Sequence, residues 1–194
     1  MLIAERQNQI LKIVNEKKYM SVDELVKFIY ASPATIRRDL QALEDMGLIK
    51  RVRGGASAIE DISGEISSFI RRQTNPQEKR KIAQEASKFF KDHQSYFFDS
   101  STTVSSLVPF LKKINDVAVV TNGIDTALLL NTSDNIRTFV APGEVQFLTN
   151  TTVGCDAVEY INKIYCDICF FSCHGLSLHG PNEATIEQKN ARKR

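Results

Sequence analysis

The sequence lacks three features that would assign it to a special class of protein. Its net charge is only +2, so a nucleic-acid partner must be argued from where the charges lie. Its longest apolar runs, such as ALLL and CFF, are far too short to span a bilayer, which predicts no membrane partner. The first ten residues show no basic region followed by an apolar stretch, so no secretory signal is expected.

Cysteine is also scarce, with four residues that all lie in the second half of the chain. Without an export signal, these predict reduced thiols and a cytoplasmic protein rather than a disulfide framework. Cys166, Cys169 and Cys173 resemble a metal-ligand cluster in spacing. However, they fall in an apolar, strand-like run, where Cys166 would point to the opposite face from the other two. We therefore predict core cysteines and no metal site.

Apolar spacing in the first 57 residues predicts three helices. Ser21 and Glu24 form a capping box at the start of the second helix. Ser32 and Pro33 begin the third helix as its N-cap and first helical residue, and Gly47 ends it. The apolar stripe of the first helix is Ile3, Ile10, Ile13 and Val14, and that of the second is Val22, Leu25, Val26 and Ile29.

After residue 48 the spacing becomes that of a hairpin. The run IKRVR alternates apolar and basic residues, Gly54 and Gly55 permit a tight reversal, and ASAI returns. Three helices followed by such a hairpin predict a winged helix-turn-helix.

The third helix has an apolar face and a basic face. Winding residues 33–47 at about 100° per residue places Ile36, Leu40 and Leu43 together, opposite Arg38. Two solvated arginines would be the plain alternative, but the helix-turn-helix pattern and the basic wing favour insertion into a major groove. Asp39 is interpreted as structural, orienting a neighbouring arginine. The predicted DNA-binding residues are Ser21, Ser32, Ala34, Thr35, Arg37, Arg38, Gln41, Lys50, Arg51, Arg53, Gly54 and Gly55.

From residue 77 short apolar runs alternate with helical stretches, which is typical of a buried parallel sheet with helices on both faces. The predicted strands lie in SYFFDS, DVAVVTN, NIRTFVAPG and CDICFFSC, and the predicted helices in EKRKIAQEASKFFKDH, TTVSSLVPFLKK, IDTALLLN and TTVGCDAVEYIN. The predicted organisation is a winged helix-turn-helix domain at 1–58, a linker with some helix at 59–76, and an α/β domain at 77–194.

The N-terminal segment resembles the DeoR family of bacterial transcriptional regulators. Arg6, the string TIRRDL after Ser32, and the downstream RVRGGA carry the resemblance. It implies a C-terminal sensor domain that is Rossmann-like, related to ribose-5-phosphate isomerase, and responsive to phosphorylated sugars. The strings EKRKIA, DSSTT and VTN of the predicted α/β domain are similar to that sensor as well.

The resemblance also implies an effector site around the DSSTT stretch. This stretch follows a strand and opens a helix, where backbone N–H groups favour an anion at the carboxyl edge of the sheet. A hydroxyl-rich helix cap without a ligand is the alternative. The candidate effector-binding residues are Asp99, Ser100, Ser101, Thr102, Thr103, Asn122, Gly143, Gly175 and Glu187.

The chain departs from the family pattern in three places. Ser101 replaces a usual glycine, Pro142 precedes Gly143 where the family has a glycine pair, and the chain stops at ATIEQKNARKR. The last departure predicts a shortened, incomplete sensor, with a DNA-binding fragment lacking a working sensor as one alternative.

A further alternative is an isomerase-like enzyme with Asp99 and Glu187 in proton transfer. No paired-carboxylate spacing, nucleophile motif or cofactor fingerprint supports it, so neither a catalytic residue nor a cofactor is expected. The expected function is repression of a sugar-metabolism operon. The expected partners are a double-stranded DNA operator, a small phosphorylated sugar and a second copy of the chain, in a homodimer or tetramer, because paired half-sites add specificity.

Overall fold

A computed structural model describes residues 2–59, 67–173, 175–178 and 180–182 of the chain. The chain divides into two compact units, 1–70 and 71–194. Within the described residues, no helix combines the length and the apolar character that a membrane crossing requires.

The first unit contains the three predicted helices and the predicted hairpin. Its elements are α1 (Ile3–Lys17), β1 (Tyr19–Ser21), α2 (Val22–Ile29), α3 (Pro33–Asp45), β2 (Ile49–Val52), β3 (Gly55–Ala58) and the start of α4 (Ser68–Gln73). The capping box is confirmed, since the Glu24 N–H donates to Ser21 Oγ at 3.2 Å and the Ser21 N–H donates to Glu24 Oε2 at 2.9 Å. Ser32 Oγ accepts from the Thr35 N–H at 3.2 Å and caps α3 as predicted.

The three helices pack around one apolar core. Its fully buried members include Ile10, Leu11, Val14, Leu25, Ile36, Leu40 and Leu43. Ile3 does not belong to it, because its side chain is 64% exposed at the first residue of α1. The buried stripe of α1 therefore begins about two turns into the helix, at Ile10.

The wing is a three-stranded antiparallel sheet of order β1-β3-β2, in which β1 was not predicted. Val52 pairs with Gly55, so the turn consists of Arg53 and Gly54, and Gly54 has a φ of +83°. Gly55 already belongs to β3, where a Cβ atom would lie 2.2 Å from the backbone oxygen of Met20. The second glycine therefore permits the close approach of β1 to β3 rather than the turn itself.

The second unit contains the predicted parallel sheet. Its elements are the end of α4, α5 (Pro76–Ala86), a 3-10 turn (Ser87–Phe89), β4 (Ser95–Phe98), α6 (Thr102–Ser105), α7 (Val108–Leu111), β5 (Val117–Thr121), α8 (Ile124–Leu130), β6 (Ile136–Val140), β7 (Glu144–Gln146), β8 (Thr151–Val153), α9 (Cys155–Lys163), β9 (Ile168–Phe170), β10 (Gly175–Ser177) and β11 (Gly180–Asn182). Strands β6, β5, β4 and β9 are hydrogen-bonded in that order, and every pair is parallel.

Three segments of this unit differ from the sequence predictions. The stretch TTVSSLVPFLKK forms two short helices, α6 and α7, and not one helix. The stretch TTVGCDAVEYIN starts with strand β8, and helix α9 begins only at Cys155. The β-branched side chains of Thr151, Thr152 and Val153 favour a strand, and they pair with β7 in a short antiparallel hairpin. The β10–β11 hairpin was not predicted either.

The two faces of the sheet are covered unequally. On one face Tyr96 and Phe98 are fully buried, and the Phe90 ring meets Tyr96 edge-on with ring centroids 5.3 Å apart. The other face carries the next row of the register, in which Phe139 is 43% exposed and Cys169 is exposed. Val120 in the same row is buried, so among the described residues this second face is covered only in part.

The cysteines are free thiols, and they do not form the core that the sequence predicted. Cys155 and Cys169 are exposed, while Cys166 and Cys173 are half-buried. Cys166 precedes β9, and burial raises the pKa of its thiol to about 11, which keeps it protonated near neutral pH. Within the described part of the chain, no group of three or more His, Cys, Asp and Glu side chains is arranged to hold a metal ion.

Replacing Gly55 with alanine should destabilise the first unit. The added methyl would collide with the Met20 carbonyl and force β1 away from β3, at a cost of about 1–3 kcal/mol in the free energy of unfolding. Urea unfolding followed by circular dichroism measures the change. Ser57→Ala on the same strand is the control, and equal stability of the two variants would contradict the close approach.

Candidate nucleic-acid interface and effector site

The outward face of α3 presents four of the twelve residues that were predicted to meet DNA. Ala34, Arg37, Arg38 and Gln41 are exposed, and Thr35 is half-buried. This arrangement follows from the burial of the opposite face, since residues three and four apart share one side of a helix. The face therefore offers two guanidinium groups and one amide to a partner.

The three hydroxyl groups predicted to contact DNA already have partners in the protein. Ser21 Oγ donates to Glu24 Oε2 at 2.6 Å within the capping box. Ser32 Oγ and Thr35 Oγ1 lie 2.9 Å apart in a hydrogen bond at the start of α3. These contacts give all three hydroxyls a role in holding the helix ends.

Asp39 anchors α3 to α1. Its side chain is almost fully buried, and its two oxygens accept from Arg6, with Nε at 2.5 Å from Oδ2 and Nη2 at 3.2 Å from Oδ1. Hydrogen bonding to Asp39 raises the pKa of Arg6. Asp39 thus orients an arginine as predicted, but the arginine belongs to α1 and not to the recognition helix.

The basic wing divides into exposed and engaged side chains. Lys50 and Arg53 are exposed on the hairpin. Arg51 is half-buried, and its Nη1 donates to Gln41 Oε1 at 2.8 Å. Arg51 and Gln41, which were predicted as separate DNA contacts, are therefore hydrogen-bonded to each other.

The candidate effector site lies where the parallel strands of the second unit end. Asp99 follows β4, Asn122 follows β5 and Ser172 comes shortly after β9, so all three lie at the carboxyl edge of the sheet. Asp99 Oδ1 accepts from the Ser101 N–H and Oδ2 accepts from the Ser172 N–H, both at 2.9 Å. Asp99 therefore holds two loops together.

The hydroxyls after Asp99 have different surroundings. Ser101 Oγ accepts from the Val104 N–H at 3.2 Å, so this side chain caps the four-residue helix α6, as the ligand-free alternative described. Ser100 packs closely against Gly123, where a Cβ atom would lie 2.7 Å from Ser100 Cα. Thr102 is buried and Thr103 is half-buried.

Lys79 is a residue of this site that sequence reasoning did not select. Its Nζ donates to Thr102 Oγ1 at 2.9 Å, and it also donates to the backbone oxygen of Arg71. Burial, together with the charge of Arg71, lowers the pKa of Lys79. Its place in the string EKRKIA, directly before the sensor sheet, was the available signal.

Asn122 offers an unused polar atom at the same edge. Its Oδ1 is buried and has no hydrogen-bond partner among the described residues, while its backbone oxygen accepts from the Thr152 N–H at 2.8 Å. A buried acceptor without a donor is costly unless a ligand or water supplies one. The side chain is therefore suited to a ligand hydroxyl.

Two of the remaining candidate residues are glycines of the described chain, and the third lies outside it. Gly143 has a φ of +138°, and a Cβ atom there would lie 2.3 Å from the Val153 oxygen, so backbone packing explains the glycine. Gly175 begins β10 and pairs with Asn182. Glu187 lies outside the described residues.

Known families and proteins match both halves of the chain. A family model described as a DeoR-like helix-turn-helix domain matches residues 6–61, and one described as a DeoR C terminal sensor domain matches residues 74–194. The HTH-type transcriptional regulator GolR of Listeria innocua is 33% identical over 174 residues, which cover 90% of this chain and 68% of that protein.

The chain is also similar to a second regulator, and a solved structure matches it weakly. The glycerol-3-phosphate regulon repressor of Escherichia coli is 29% identical over 176 residues, which cover 91% of this chain and 69% of that protein. The solved structure of an O-methyltransferase family protein from Burkholderia thailandensis is 9% identical, with a TM-score of 0.28 over 97% of this chain and 71% of that one. A score this low supports no conclusion about fold or activity.

Changing Asp39 to asparagine should lower the midpoint of thermal unfolding. The amide would turn a donor toward the Arg6 guanidinium, which can only donate, and would weaken the contact between α1 and α3. Differential scanning calorimetry measures the shift, with Glu16→Gln on the exposed side of α1 as the control. Similar shifts in the two variants would show that the pair does not stabilise the fold.

Proposed function

The chain belongs to the DeoR family of DNA-binding transcriptional regulators, and we propose that it is a repressor of a sugar-metabolism operon controlled by a phosphorylated sugar. The observation that carries the DNA-binding part is the exposed face of α3. That helix buries Ile36, Leu40 and Leu43, and it leaves Arg37 and Arg38 exposed in its N-terminal half. An arginine fork suits the edge of a guanine or a phosphate, and a recognition helix inserts this end into the major groove.

The wing and a second copy of the chain complete the proposed DNA complex. Exposed Lys50 and Arg53 are suited to phosphates that flank the major-groove site. One recognition helix reads only a few base pairs, so we expect a homodimer or tetramer that binds paired half-sites on a double-stranded operator.

The proposed effector site is the carboxyl edge of the sensor sheet, around residues 99–103. Lys79 places a cation beside Thr102 and could pair with a phosphate group. Asn122 offers an acceptor for a sugar hydroxyl. The name of the Escherichia coli relative, a glycerol-3-phosphate regulon repressor, supports a phosphorylated metabolite. We also propose that this domain is Rossmann-like and related to ribose-5-phosphate isomerase. In open parallel sheets of this kind, ligands bind at the carboxyl edge of the strands.

Control of transcription requires the ligand to bind one state of the regulator more tightly than another. We propose that the phosphorylated sugar favours the state with the lower operator affinity. Titration of a labelled operator with the protein, with and without the sugar phosphate, tests the direction of this effect.

Arg38→Ala should weaken binding to the cognate operator by about 1–3 kcal/mol and relax the preference at one base pair, because a guanidinium contact to a base edge is lost. Selection from randomised duplexes identifies the base pair. Lys50→Ala on the wing is the control, and it should weaken all sequences alike. An unchanged base preference in the Arg38 variant would refute its role.

Lys79→Met should weaken the binding of a sugar phosphate about tenfold or more, because a charge-assisted hydrogen bond to the phosphate is lost. A thermal-shift screen with ribose 5-phosphate, fructose 1-phosphate and glycerol 3-phosphate measures binding to the parent protein and the variant. Lys81→Met, which removes an exposed lysine of the same helix, is the control. The proposed site is wrong if the two variants bind the sugar phosphates equally well. Turnover of any of these compounds in an isomerase assay would favour the isomerase alternative.

A further inference from the structure

The side chain of Arg51 does not extend from the wing into solvent, as that of a phosphate-binding arginine would. Its Nε is buried without a hydrogen-bond partner among the described residues, and the side chain is only half-exposed. Its Nη1 donates to Gln41 Oε1 at 2.8 Å, and its backbone N–H donates to Glu44 Oε1 at 2.7 Å. Both contacts direct Arg51 onto the recognition helix α3.

The other end of the Gln41 amide is also held. Its Nε2 donates to Asp45 Oδ1 at 2.9 Å and makes a longer contact of 3.4 Å to Glu44 Oε2. A guanidinium can only donate and a carboxylate can only accept, so a flipped amide would lose both bonds. Arg51 on one side and Asp45 on the other therefore fix which end of the Gln41 amide is oxygen and which is nitrogen.

A fixed amide matters because Gln41 lies on the exposed face of α3. Glutamine reads adenine by accepting from N6 with its oxygen and donating to N7 with its nitrogen, which requires a defined orientation of both atoms. Gln41 Oε1 retains a second lone pair, and the second Nε2 hydrogen makes only the longer contact to Glu44. The amide can thus offer one acceptor and one donor in a set order, before DNA arrives.

We propose that Arg51 is a positioning residue for Gln41, and that this pair, with Asp45, selects an A·T base pair in the operator. Arg51 then contributes to specificity through a neighbouring side chain and makes no phosphate contact of its own. The inference rests on the DNA-facing role proposed for α3, and it gives one wing residue a function different from that of Lys50 and Arg53.

The test is selection from randomised duplexes with the full chain, followed by titrations of the selected site at several salt concentrations. Gln41→Ala and Arg51→Ala should lose preference at the same base pair, where the parent selects adenine, by about fivefold or more. The double variant should lose no more than either single variant, because both changes remove one interaction. The salt dependence of the Arg51 variant should match that of the parent, since no phosphate contact is lost.

Two further variants separate positioning from charge. Asp45→Ala removes a negative charge, which would strengthen binding to every sequence if charge alone mattered, yet it should reduce the adenine preference because the amide loses one support. Arg53→Ala should weaken all sequences alike and lower the salt slope by about one. Circular dichroism melts identify any variant that fails to fold, and Gln41→Ala then carries the comparison because its side chain is exposed.

The proposal is overturned if Arg51→Ala weakens all sequences equally with a reduced salt slope, if the Gln41 and Arg51 variants affect different base pairs, or if their losses add. In each of these results the parent protein still selects a sequence. A failure of the proposed DNA-binding face would differ, because the parent protein itself would then select no sequence.

Discussion

The burial of Ile36, Leu40 and Leu43 decides which residues of the recognition helix can reach DNA. Because these side chains pack against α1 and α2, the helical period alone directs Arg38 and Gln41 outward. The Arg6–Asp39 pair adds a polar contact across the same packed side of α3. The outward side chains are therefore carried by a helix that is fixed against the core, which suits base recognition because side chains must meet base edges in a fixed register.

A comparable constraint orders the edge of the sensor sheet. Parallel strands with the register of β4, β5 and β9 end at the same side, so the residues after them meet without being close in sequence. Asp99 links the loops at this edge, because its carboxylate accepts hydrogen bonds from an N–H group of its own loop and from the Ser172 N–H. The two loops are held by bonds from backbone N–H groups to the Asp99 carboxylate, and Lys79 and Asn122 place further polar groups in the same region.

Local patterns in the sequence were sufficient for the helices of the first unit and for the parallel strands. The capping groups Ser21, Glu24 and Ser32 act within one turn of helix, so their partners can be read from spacing. Long-range partners could not be read in this way. The pairing of β1 with β3, the Arg6–Asp39 contact and the Lys79–Thr102 contact join residues far apart in the chain. Exposed Cys169 shows the same limit, because an apolar strand does not reveal which of its faces is covered.

The engaged and exposed cations have different physical tasks. Arg6 and Arg51 bond to side chains on α3, and each orders the helix surface. Arg37, Arg38 and Arg53 are exposed and form no ion pair among the described residues, so their charge remains available to phosphates and base edges. A net charge of +2 thus understates the attraction to DNA, because what matters is which cations lack an internal partner and share one surface. Residues of identical chemistry in one basic motif can therefore divide between binding the duplex and orienting the groups that read it.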